Sequence, residues 1–141
     1  MTPITFEGVT LGGKVDVVQY ATGYLWNIKP RNSDDFVSMS SQAGATGSDD
    51  GVIFGGMRLT PIPGMRIDLA EQYGINTFNT FYADGEYLLP ISEDWKLKFG
   101  AQFIDQRAVG DELVANASKT NWTTQAGGAR VQALYKDLTL T

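Results

Sequence analysis

Histidine and cysteine are both missing from the 141 residues. Their absence removes an imidazole–thiolate zinc site, a cysteine nucleophile, a disulfide framework and a Ser-His-Asp triad together. Positive charge is also scarce. Eleven Lys and Arg stand against sixteen Asp and Glu, a formal net charge of -5, which works against any general nucleic-acid-binding role. No apolar run approaches the roughly 18 residues that a membrane-spanning helix needs. The start, Met1-Thr2-Pro3-Ile4-Thr5, has neither the basic region nor the apolar stretch of a signal peptide, so any export signal is expected to have been removed. A lack of cysteine also suits an oxidising compartment.

What remains is a chain that is 43% apolar and 11% aromatic, with 16 Gly and only 19% charged residues, a composition that folds. Patterns for cofactors and metals are absent. Gly12-Gly13-Lys14 runs into Val15 without the rest of a phosphate loop. Asp34-Asp35, Asp49-Asp50 and Asp111-Glu112 lack the ligand spacing of a twelve-residue calcium loop and read as solvated loop charges. The expectation is no cofactor, no resident metal, no catalytic residues and no enzyme.

The strongest pattern has period two. Trp95, Leu97, Phe99, Ala101 and Phe103 alternate with Lys96, Lys98, Gly100 and Gln102, which makes a strand with one apolar and one polar face. Similar alternation runs through Ile53–Thr60, Met65–Gln72, Tyr82–Leu89 and, more loosely, Thr123–Tyr135. Val9–Ile28 is strand-like too, but its apolar phase slips at Val17-Val18, which points to a bulge or a turn near Ala21-Thr22-Gly23. Turn residues cluster at Glu7-Gly8, Pro61-Ile62-Pro63-Gly64, Ile91-Ser92-Glu93-Asp94 and Lys136-Asp137. Longer polar loops are expected at about 29–50, 74–79 and 106–119.

Short turns on one side, long loops on the other and strands of about ten residues make the pattern of an outer-membrane β-barrel, with apolar residues facing lipid and polar ones lining the lumen. Aromatics at both ends of the apolar faces agree: Trp95, Tyr87 and Tyr135 lie near the short turns, Phe103, Phe81 and Tyr73 near the long loops. Trp95 to Phe103 spans about 26 Å of strand, or about 20 Å along the membrane normal at a tilt near 40°. The fold class is therefore all-β, an antiparallel transmembrane barrel segment. Six full strands are expected, with stubs at Thr2–Phe6 and Leu138–Thr141 too short to cross a bilayer. Because six strands fall below the smallest single-chain barrels, residues 1–141 read as one incomplete region of a larger barrel. Two alternatives stay open: a soluble extracellular β-domain that binds a ligand or partner, and, if residues 9–28 hide a hairpin, a small closed structural barrel.

Three segments occur in order: Gly23-Tyr24-Leu25-Trp26-Asn27-Ile28-Lys29-Pro30-Arg31-Asn32-Ser33-Asp34-Asp35-Phe36-Val37-Ser38-Met39-Ser40, then Tyr87-Leu88-Leu89-Pro90-Ile91-Ser92-Glu93-Asp94, then Lys98-Phe99-Gly100-Ala101-Gln102-Phe103-Ile104-Asp105-Gln106-Arg107. Together they resemble the OprD-type substrate-specific outer-membrane porins of Gram-negative bacteria, over most of the chain from about residue 9. The resemblance implies part of an 18-stranded monomeric barrel, longer than 141 residues, that sits among outer-membrane lipid and lipopolysaccharide. It further implies passive uptake of small solutes, often carboxylates or amino acids.

Alternation alone assigns the lumen face. Its cations are Arg58, Arg66, Lys96, Lys98 and Arg130, all close to short turns, and its anions are Asp68, Asp84 and Glu86. A bulged three-residue turn closed by Gly64 would set Arg58 opposite Arg66, unfavourable unless an anion lies between them; the equivalent register sets Glu86 opposite Lys98. The band is expected either to solvate a wet lumen by pairing internally or to hand small anions along a series of weak sites.

Overall fold

The computed structural model of the protein describes residues 4–45, 48–110, 122–136 and 138–140. Nine strands form within them: β1 (Thr5–Val15), β2 (Val18–Lys29), β3 (Val37–Ser38), β4 (Val52–Leu59), β5 (Met65–Gly74), β6 (Phe78–Pro90), β7 (Trp95–Ala108), β8 (Thr123–Tyr135) and β9 (Leu138–Leu140). A single helical turn, α1 (Met39–Gln42), follows β3. The strands make one antiparallel sheet in the order β1-β2-β4-β5-β6-β7-β8-β9, with β3 pairing β2 beside it. The all-β expectation therefore holds, as a meander in which each long strand pairs with its neighbour along the chain.

The start of the chain departs from the expected stub. β1 is unbroken over eleven residues, and Glu7-Gly8 is a register shift opposite a bulge in β2 rather than a turn. The turn is Asp16-Val17, where the phase slips: Val15 pairs with Val18 and Asp16 takes a φ of 50°, a left-handed conformation that Asp tolerates better than most residues. Seven strands of eight to fourteen residues result, not six. The extra residue of the bulge is Trp26, which stands between the partners of Gly8 and Glu7. Val9 pairs with Tyr24, which pairs with Ile53, so Val9 lies on the apolar face, and Glu7, two residues away on β1, shares that side. Glu7 Oε2 accepts from Asn27 Nδ2 at 2.7 Å.

One of the expected long loops is shorter, and the last begins later than expected. Segment 74–79 is a tight connection: Gly74 pairs with Phe78 and Tyr73 with Asn79, Thr77 N donates to Gly74 O at 3.0 Å, and Asn76 holds a φ of 52°. The Gly and Asn residues that looked like loop composition serve this turn. β7 carries pairing through Arg107 and Ala108, and residues 111–121 of the last loop lie outside the described residues. The 29–50 loop is long as expected. It is pinned by β3 on β2 and by Ser40, whose N donates to Asp50 O at 3.0 Å and whose Oγ donates to Ser48 O at 2.7 Å.

The turn at Pro61–Gly64 forms where expected. Gly64 has a φ of 84°, and a Cβ there would meet Leu88 O at 2.7 Å. Gly64→Ala is expected to cost about 1–2 kcal/mol from that conformation and contact, read as a lower urea midpoint of the folded barrel.

One layer of sheet leaves little interior. Among the described residues the buried apolar ones are Ala45 and Val52, both at the long-loop end. Leu11 is 67% exposed, Val131 58% and Phe99 39%, so nothing among the described residues covers the apolar face. The register also reports the lean of the strands. From Val18 the rung passes through Leu59, Ile67, Gly85 and Ala101 to Ala129. β2 begins at Val18 beside its turn, whereas β8 continues to Tyr135 before its own. The short-turn edge thus slides six residues over the six steps from β1 to β8, about 20 Å along the strands against about 29 Å across them. With the short turns at one level, the strands tilt by about 35°, the angle of a barrel wall.

Candidate functional site

The polar face of β4 to β8 carries one connected charge network. Arg58 lies opposite Asp68, and Arg66 opposite Glu86. The expected Arg58–Arg66 opposition is therefore corrected. Pro61 and Pro63 offer no backbone N–H, the β4–β5 ladder ends at Leu59–Ile67, and Thr60 N bonds instead to Val17 O at 3.0 Å. The first two residues of β5 then pair with β6 alone. Asp68 separates the two arginines. Its Oδ1 accepts from Arg58 Nε at 2.6 Å and its Oδ2 from Arg58 Nη2 at 3.0 Å, and Arg66 Nε lies 3.1 Å from the same Oδ2.

Arg66 in turn separates carboxylates. Asp68 and Asp84 are direct cross-strand partners, an unfavourable pair on its own. The Arg66 guanidinium lies within ion-pair distance of both, with Nη2 at 2.9 Å from Asp84 Oδ1 and 3.0 Å from Glu86 Oε2. Glu86 also differs from the expected register: its partner on β7 is Gly100, and Lys98 faces Leu88. The anticipated pair forms along the diagonal, Lys98 Nζ to Glu86 Oε1 at 2.8 Å, a reach that long side chains allow. Arg130 of β8 pairs with the same oxygen from two strands away. Lys96, across from Pro90 and Leu134, stands at the short-turn end outside this network.

The network thus holds four cations against three carboxylates, in a chain whose net charge is -5. It also climbs. Arg58 and Arg66 lie one residue inside the ends of β4 and β5, Lys98 three residues inside β7, and Arg130 five inside β8. Glu86 is nearly buried, its side chain 9% exposed, while Arg130 keeps 49% exposed. Each exposed pair by itself contributes about 0–1 kcal/mol; sharing of Asp68, Arg66 and Glu86 ties the pairs into a unit. Beyond the cluster the polar face carries no charge along the rung Gly12, Ala21, Gly56, Ala70, Tyr82, Ile104 and Ala126.

Sequence reading overlooked three features. Gly100 lies between Glu86 and Arg130 on one rung, and the place of a glycine inside a strand is the hint that could have singled it out. A recess of about 120 Å³ opens beside it, lined by Asp84, Gly100, Gln102, Gly128 and Arg130 among others. On the opposite face Asp105 is 5% exposed, accepting from Gln125 Nε2 at 2.6 Å and pairing with Arg107. These polar residues end the apolar stripe of β7 at the long-loop side. At the other end the Trp95 and Tyr135 rings pack with centroids 4.8 Å apart, as the aromatic pattern requires.

No protein-family model and no curated protein matches the sequence. Solved structures do match. OccK1 (OpdK) of Pseudomonas aeruginosa superposes with a TM-score of 0.76 at 17% identity, covering 94% of this chain and 34% of that one. OpdL of the same organism gives 0.74 at 19% identity, covering 95% and 36%, and its OccK9 (OpdG) gives 0.73 at 19%, covering 94% and 33%. The chain therefore spans about a third of the length of these porins of the OprD/Occ family. Meander order, short and long connections, an uncovered apolar face and a leaning register all agree with that likeness. The chain has the fold of about one third of an OprD-type outer-membrane porin barrel.

Proposed function

We propose that this chain forms part of the wall of a passive outer-membrane diffusion channel, and that the network of Arg58, Arg66, Lys98, Arg130, Asp68, Asp84 and Glu86, with Lys96 at its foot, lines the route of small anionic solutes. The observation that carries this reading is the local excess of cations on the polar face of an otherwise acidic chain. A solute carboxylate can exchange for Asp68, Asp84 or Glu86 on cations that already share partners, so each stop is weak and none traps it. OpdK has been solved with vanillate, and OccK2 (OpdF) in complex with glucuronate; both ligands are carboxylates, which favours the same class here. The apolar face meets outer-membrane lipid. The polar group around Asp105 and Arg107 sits at the level of lipopolysaccharide headgroups, and the complete barrel works as a monomer. The function is passage, without covalent chemistry.

Arg66→Glu and Lys98→Glu test the route in the complete barrel reconstituted in planar bilayers. A two-unit charge change acting over about 8 Å in water is about 1 kcal/mol, so anion flux should fall about fivefold in each variant. Unchanged anion-to-cation permeability in both would remove these residues from the pathway.

A further inference from the structure

Glycine at position 100 faces the polar side of β7, directly between Glu86 on β6 and Arg130 on β8. The arginine can reach the glutamate only by crossing β7, and it does so over bare backbone. A Cβ at position 100 would lie 2.8 Å from Arg130 Nε and 2.9 Å from its Cγ, closer than side-chain carbons approach other atoms. Glu86 does not depend on this third cation, since Arg66 and Lys98 already hold one oxygen each. Arg130 is thus the outermost member of the network and the one whose position rests on a missing side chain.

We infer that Gly100 is a positioning residue for selectivity: it lets Arg130 lie flat against the wall and be neutralised by Glu86, and any side chain there lifts the guanidinium into the lumen, where passing anions meet it less compensated. This rests on the channel reading above and adds the element that sets how much of the Arg130 charge a solute feels. The atoms in the way belong to a flexible side chain, not to backbone, so alanine displaces Arg130 without breaking the strand. Gly85, the neighbour of Glu86 on the other face, has nothing within 4 Å of an added Cβ and supplies a matched control.

Reversal potentials in a salt gradient, measured on the complete barrel in planar bilayers, read the effect. Gly100→Ala should raise the anion-to-cation permeability ratio about twofold through the exposed charge, Gly85→Ala should leave it unchanged, and Gly100→Ala added to Arg130→Gln should change nothing further. An unchanged ratio in Gly100→Ala, or an equal shift with Arg130 already removed, overturns the inference. A barrel that conducts no ions at all would instead refute the channel reading. A second measurement then decides the inference. The coupling between Arg130→Gln and Glu86→Gln in thermal unfolding should be present beside Gly100 and lost in Gly100→Ala, and persistence of that coupling overturns the positioning role.

Discussion

Glu86→Gln is expected to destabilise the folded barrel by about 2–3 kcal/mol and, at the same time, to make it more selective for anions. One nearly buried carboxylate serves Arg66, Lys98 and Arg130. Neutralising it leaves three like charges about 6 Å apart, each pair repelling by about 0.7 kcal/mol even in water. Removal of one partner from a buried ion pair costs about 3–5 kcal/mol, but the cations here are a third to a half exposed, so the lower figure applies. Asp84→Asn should cost much less, because Arg66 keeps Asp68 and Glu86. Urea unfolding from phospholipid vesicles measures the first quantity and reversal potentials the second. Equal losses for the two variants would mean that Glu86 is not the hub of the network, and a stability loss without a gain in anion selectivity would place the network away from the solute path.

Phe99→Arg should be costlier still relative to its neighbours. Phe99 lies midway along the outward stripe between Trp95 and Phe103, on the rung of Met65, Tyr87 and Val131. A cation at the middle of a bilayer costs about 2–4 kcal/mol in a transmembrane barrel. Gln102→Arg, three residues on and facing the polar side, should stay within about 1 kcal/mol, since surface changes away from special features are small. Folding into vesicles followed by urea titration compares the two. Similar costs for both would mean that the two faces do not differ as lipid and lumen differ. Folding of the unmodified barrel without bilayer or detergent would favour a soluble β-domain whose apolar face is covered by another part of the protein.

Much of this arrangement is legible in the residues alone. The two faces of β7, the turns at Pro61–Gly64 and Ile91–Asp94 and the side on which eight of the charged residues of β4 to β8 lie follow from alternation and turn chemistry, because a strand can show its neighbours only two sides; Lys14, on the same rung as Arg58, was missed. The hairpin at Asp16-Val17 was legible only as the phase slip at Val17-Val18, and the expected turn near Ala21-Thr22-Gly23 is paired strand instead: Asp-Val is no hairpin signature, and the apolar residues on both sides of it hide the reversal. Glu7-Gly8 is the converse case: its composition suits a turn, but the chain there stays in β1 opposite a bulge in β2. Segment 74–79 shows that loop composition does not measure loop length.

Which side of each strand is greasy, and therefore which charges share a surface, was settled by the order of amino acids, through a periodicity that no packing partner can alter. Which charge meets which was settled only by the assembled sheet. Register depends on where two prolines stop a ladder, on one bulge and on one aspartate in a left-handed turn, and a slip of two residues leaves every face intact while replacing Arg58–Asp68 by Arg58–Arg66. The crossing of Arg130 over Gly100 belongs to the same level, because three strands must align before a glycine in the middle one can let the outer two touch.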